Sequence, residues 1–80
     1  MEAEALEREI RAFLEEKLGI TGIDRDGELV SSGLVDSGSL VRLATQVERI
    51  AGIEIPDRDI DADHFDSLAM IVDYAVSKAR

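Results

Sequence analysis

Ser37-Gly38-Ser39-Leu40-Val41-Arg42-Leu43-Ala44-Thr45-Gln46-Val47-Glu48-Arg49-Ile50-Ala51, halted by Gly52, is the stretch on which the fold turns. Leu40, Leu43, Val47 and Ile50 recur at i, i+3, i+7 and i+10, and Val41 and Ala44 widen the same stripe. That spacing predicts an amphipathic helix over residues 37–51. Its neighbours read the same way. Residues 2 to about 18 set Leu6, Ile10, Phe13, Leu14 and Leu18 on one face of a helix and surround them with glutamates, Arg8, Arg11 and Lys17, with Gly19 as C-cap. A last helix begins near Asp66 or Ser67, either of which can cap it, and buries Leu68, Ile71, Val72 and Ala75.

The segments between are not helical. Residues 19–36 carry Gly19, Gly22, Gly27 and Gly33, which punctuate a loop. Ile20, Ile23, Leu29, Val30, Leu34 and Val35 make it too apolar for a flexible linker, so it is expected to lie across the helices with its aliphatic side chains inward. Ile53-Glu54-Ile55 reads as an extended connector ended by Pro56. Residues 57–66, with five aspartates, form turns and one short helix that buries Ile60 and Phe65. The expectation is all-α: a small four-helix bundle of three main helices plus one short one, with a long loop between helices 1 and 2. Residues 1–80 make a single domain of this kind.

Composition removes most functional classes. A formal charge of −9 is unsuited to nucleic acid, whose phosphates are bound through clustered Lys and Arg. No apolar run approaches the roughly 20 residues of a membrane span, and the acidic start, Met1-Glu2-Ala3-Glu4, is unlike a signal or transit peptide. Without Cys there is no disulfide, zinc finger or thiol nucleophile, and one His leaves no His/Cys metal cluster. Calcium-loop spacing fails as well. With Gly27 at the turn position the ends of the loop are Gly22 and Gly33; from Asp57, Ala62 and Leu68 stand where Gly and Glu belong. His64 reads as an exposed loop residue. An esterase using Ser37 and His64 needs an orienting acid and a pocket for which so short a bundle has little room. A small, acidic, cytoplasmic, monomeric protein handled by other proteins is expected, and not an enzyme.

Chemistry concentrates at Ser31-Ser32-Gly33-Leu34-Val35-Asp36-Ser37-Gly38-Ser39-Leu40, where a loop ends and a helix opens. A hydroxyl there is commonly no more than an N-cap. The same place suits a phosphate, because orphan amide hydrogens and the positive end of the helix dipole stabilise an anion. An exposed Ser at that point is a good acceptor for a phosphodiester-linked group.

These residues resemble the acyl carrier proteins, including peptidyl and D-alanyl carriers, over nearly the whole chain. Asp36-Ser37, then Val41 and Leu43 four and six residues after Ser37, then Ile55-Pro56-Asp57 and Asp73-Tyr74, follow the family's pattern. Ser32-Gly33-Leu34-Val35-Asp36 is similar to the approach to its attachment site. The resemblance implies 4′-phosphopantetheine on Ser37, with cargo held on its thiol as a thioester and Asp36 helping to hold the magnesium of a phosphopantetheinyl transferase. Ser39 is the rival, but Thr45 six residues on is polar and Gly38 precedes it, so Ser37 is preferred.

A free-standing acyl or aminoacyl carrier follows. Its expected partners are the transferase, an adenylating ligase or acyltransferase that loads the arm, and a downstream acyl-accepting enzyme. Val35, Gly38, Leu40, Val41 and Arg42 form the expected docking surface. Three departures shape the expectation. Gly38 stands where the family has Leu or Met. Arg42 and Arg49 against Glu48 make the second helix +1 where acidic residues are usual. The Asp57–Ser67 segment is about two residues longer than in fatty-acid carriers, more similar to carriers loaded by adenylating enzymes. Gly38 also favours an alternative, a cofactor-free interaction module on the carrier fold.

Overall fold

Leu6, Ile10 and Leu14 are the side chains that α1 (Ala3–Lys17) buries in a computed structural model describing residues 2–79. Met1, part of the acidic start noted above, and Arg80 lie outside the described residues. α1 ends at Leu18, and Gly19 just beyond takes the left-handed backbone, φ 69°, that a residue without Cβ adopts freely. Gly19 thus follows the cap rather than forming it. α2 (Ser37–Ala51) is bounded as its stripe predicts and buries Leu40, Leu43, Ala44 and Val47. At its end the amides of Gly52 and Ile53 both donate to the Glu48 carbonyl, at 2.9 and 3.2 Å.

A single 3-10 turn (Asp57–Asp59) and the short α3 (Ala62–Phe65) follow, then α4 (Leu68–Ala79). The three long helices pack together: α1 lies against both α2 and α4, α2 also meets α4, and α3 lies on α4. Four helices and no strand among the described residues give the expected all-α bundle, 30 × 25 × 20 Å in extent. Phe65 fills the centre with no exposed surface, beside Leu29 from the long loop and Leu68 and Ile71 from α4, all in one apolar cluster.

The loop between α1 and α2 is packed, as its aliphatic content requires. Ile20, Leu29 and Val35 are buried, and Ile23 and Val30 are half-buried. Leu34 departs from the expectation and is 54% exposed. A loop has no period to enforce one face, and burying its neighbour Val35 turns Leu34 outward. Val41 lies at the edge of the α2 stripe and is 56% exposed, while Ile60 is half-buried rather than buried. His64 sits in α3, half-buried, not in an exposed loop. Its Nδ1 lies 2.8 Å from Asp61 Oδ1, and its ring meets the Tyr74 ring edge-on at 5.2 Å.

No described helix is long and apolar enough to cross a membrane. Among the described residues, no three His, Cys, Asp or Glu side chains gather where they would hold a metal ion.

Candidate functional site

Ser37 is the first residue of α2, and its side chain is exposed. Asp36 precedes it as the N-cap, in extended backbone, and its Oδ1 accepts the Ser39 amide at 2.8 Å. The Asp36 carbonyl accepts the Leu40 amide at 2.8 Å, the first turn of helical bonding. Bonding from Ser39, and from the Gly38 amide, holds the Asp36 carboxyl below its ordinary range, so it is an anion at neutral pH. Ser37 therefore directly follows an ionised carboxylate in the chain and stands at the positive end of a 15-residue helix, which favours a phosphate.

There is room for the group. At Gly38 an added Cβ would meet only Asp36 Oδ1, at 3.8 Å, an ordinary contact. Gly38 is helical and lacks a positive φ, so the fold does not require glycine there. A bare, uncrowded backbone beside an exposed hydroxyl fits the end of a phosphodiester-linked arm.

The loop side of the site is fixed by long-range contacts. Val35 is buried, and its amide donates to the Leu29 carbonyl at 2.8 Å. Val30 and Ser31 amides both donate to Asp66 Oδ1 at 2.8 Å, and the Ser31 hydroxyl donates to Asp66 Oδ2 at 2.6 Å. Ser67, not Asp66, caps α4 with its side chain: its Oγ accepts the Met70 amide at 3.1 Å. Two adjacent cap candidates, when one suffices, were the only sign in the sequence that Asp66 has another task.

The structure divides the expected docking residues. Gly38, Val41 and Arg42 are exposed around Ser37. Val35, 2% exposed, and Leu40, 8% exposed, belong to the core and offer no surface to a partner. Sequence reading missed Leu34, three residues before Ser37. Leu34 and Val41, both exposed large apolar side chains, flank Ser37 in the chain. Further along α2, Arg42 and Arg49 border a shallow groove with Val41, Thr45, Gln46 and Phe13 of α1. Glu48, the acid of this helix, is turned away: its Oε2 accepts the Ile55 amide at 2.8 Å. The basic character of the exposed face of α2 is thus stronger than its net charge indicates.

A protein-family model described as the phosphopantetheine attachment site matches residues 8–75, from within α1 to within α4. No curated protein matches the chain significantly.

Proposed function

The chain belongs to the phosphopantetheine attachment site family, and on that premise we propose that Ser37 carries the group and that the protein is an acyl or aminoacyl carrier. The family's cofactor is covalently bound 4′-phosphopantetheine. When bound, it supplies a thiol on a mobile arm that holds cargo as a thioester. The chain has no Cys of its own, so the arm is indispensable to such a role.

The observation that carries the assignment to Ser37 is its exposure at the first position of α2, directly after a capping Asp36. Ser37 offers the hydroxyl oxygen that bonds to phosphorus, and the helix end stabilises the phosphodiester charge. Asp36 stays ionised and would help hold a magnesium ion brought by the transferase. Bond-making belongs to partners, and the carrier contributes a raised effective concentration of cargo at their active sites.

Intact mass after incubation with coenzyme A and a phosphopantetheinyl transferase tests this reading. The unsubstituted protein and Ser39→Ala should gain one phosphopantetheine, and Ser37→Ala none. Modification that survives in Ser37→Ala and disappears in Ser39→Ala would move the site. No gain in the unsubstituted protein would favour the cofactor-free interaction module.

For the loading partner, the exposed Arg42 and Arg49 support an enzyme without a basic docking patch, such as an adenylating ligase acting on an amino acid or another carboxylic acid. Complementary charge sets encounter rate and rejects wrong partners. A fatty-acid malonyl transferase with a basic docking patch should load the phosphopantetheinylated protein poorly. Arg42→Glu should improve loading by a few-fold, the scale of one exposed charge pair. Efficient malonylation with no gain from the substitution would return the protein to the fatty-acid group.

A further inference from the structure

We infer that Asp66, 29 residues beyond Ser37 in the chain, is a positioning residue for the attachment site. The inference rests on the reading of Ser37 as that site. Asp66 stands at the junction of α3 and α4, yet its hydrogen bonds run to the loop that delivers Ser37. Its carboxylate takes the Val30 and Ser31 amides on one oxygen and the Ser31 hydroxyl on the other. Its carbonyl accepts the Leu29 amide at 2.7 Å. Three successive residues of the loop are therefore held by a single aspartate.

From there the constraint passes to the site in short steps. The Leu29 carbonyl accepts the Val35 amide, closing the turn, and the side chains of Leu29 and Val35 are both buried. Within the turn, the Gly33 amide donates to the Val30 carbonyl at 3.1 Å, and Ser32 Oγ donates to the Glu28 carbonyl at 2.7 Å. Asp36 follows Val35 directly and caps α2, and Ser37 comes next. The attachment hydroxyl is thus held on one side by its own helix and on the other by Asp66. The carboxylate supplies what the loop lacks, since two consecutive loop amides point at one acceptor that no local turn provides. Charge assistance makes these bonds short and directional.

A partner that recognises Ser37 together with the loop before it meets a preformed surface only while this clamp is closed. Loosening the loop adds an ordering cost to each productive encounter, so the loss falls on KM rather than on kcat.

The test uses Asp66→Ala, Asp66→Asn and, as control, Tyr74→Phe, which removes the Tyr74–Asp59 bond without touching the loop. Two readouts are taken where circular dichroism shows each variant folded. They are the amide resonances of residues 30–39 and the separate kcat and KM of phosphopantetheine transfer from coenzyme A.

Asp66→Ala should move the amide signals of Val30 and Ser31 and, through the turn, those of Asp36 to Ser39. It should lower kcat/KM by about tenfold, the scale of ordering one or two interface side chains, mainly by raising KM. Asp66→Asn keeps an acceptor oxygen for both amides and should restore both readouts toward those of the unsubstituted protein. Tyr74→Phe should lower the melting temperature and leave KM unchanged. Where Asp66→Ala does not fold, Ser31→Ala stands in, losing the hydroxyl bond alone, with smaller changes in the same direction.

The inference is overturned by unmoved Asp36–Ser39 signals in folded Asp66→Ala, by a KM equal to that of the unsubstituted protein, or by an equal rise of KM in Tyr74→Phe. Absence of any mass gain in the unsubstituted protein would defeat the Ser37 reading instead. The resonances would then still decide whether Asp66 orders the loop.

Discussion

Replacing Phe65 by alanine is expected to remove a large part of the stability of the fold. Phe65 is fully buried, packs at 5.6 Å against the tilted Tyr74 ring, and shares its cluster with Leu29, Leu68 and Ile71. Phe→Ala changes in cores cost about 3–5 kcal/mol, part of it for the cavity that remains. At about 0.05–0.15 kcal/mol per residue, a chain of 80 residues has a total margin of roughly 4–12 kcal/mol. The loss is therefore a large fraction of the whole. The melting temperature should fall by roughly 12–40 °C, followed by circular dichroism, and phosphopantetheine transfer should fall with the folded fraction. Leu34→Ala is the comparison. It removes an exposed side chain of similar hydrophobicity and should stay within about 0.5 kcal/mol of the parent. A Phe65→Ala variant that melts within a few degrees of the parent would show that the cluster does not carry the fold.

Stability should peak in mildly acid solution, between about pH 4.5 and 6.5, the ordinary values of Glu and His. On the acid side, four carboxyls titrate lower in the folded chain than in the unfolded one. Glu7 is held down by its bond to Arg25, Asp36 by the Ser39 amide, Asp59 by the Tyr74 hydroxyl and Asp66 by Ser31. A lowered folded pKa contributes stability that is present above the unfolded value and is lost as pH falls through the folded one. The melting temperature should therefore drop below about pH 4.

On the other side, bonding to Asp61 raises His64 above its ordinary value, with Asp59 and Asp63 adding to the effect. Its contribution is complete below the unfolded value and is lost as pH rises through the folded one. Tyr74 extends the decline. Desolvation and its bond to Asp59 push its hydroxyl up to about 12, so stability falls again at strongly alkaline pH. Melting curves from pH 3 to 11 test the profile, and His64→Gln should flatten the decline that begins at the ordinary His value of 6.5. A melting temperature that rises steadily from pH 5 to 8 would contradict it.

The helices were legible because their signal is local. Leu40, Leu43 and Val47 recur every three or four residues, and such a period specifies both the element and its buried face. The place of Ser37 at the head of α2 was legible for the same reason, but that Asp36, rather than a serine hydroxyl, caps the helix was not. Exposure around Ser37 was read less well. Val41 differs from Leu40 by one step around the helix, and that rotation separates an exposed side chain from a buried one. Leu34 and Val35 lie in a loop without any period, so only packing against Leu29 and the helices decides which of them turns inward. Asp66 was read as a helix cap because its loop partners lie 35 and 36 residues away, beyond the reach of any local pattern. His64 meets the edge of the Tyr74 ring, ten residues further along, a contact that no local pattern gives.

That separation has a consequence for the order in which the molecule comes into being. During synthesis Ser37 leaves the ribosome 29 residues ahead of Asp66, a lag of roughly 1.5–6 s at about 5–20 residues per second. For about the second half of that interval, once Ala51 is out, α2 has the residues to coil, because its bonds are local, but the turn at its head lacks the acceptor that shapes it. Contacts that close long stretches of chain are also the slower ones to form. The loop before Ser37 is thus among the last parts of the molecule to mature, and it reaches its final shape only once the start of the last helix has been made.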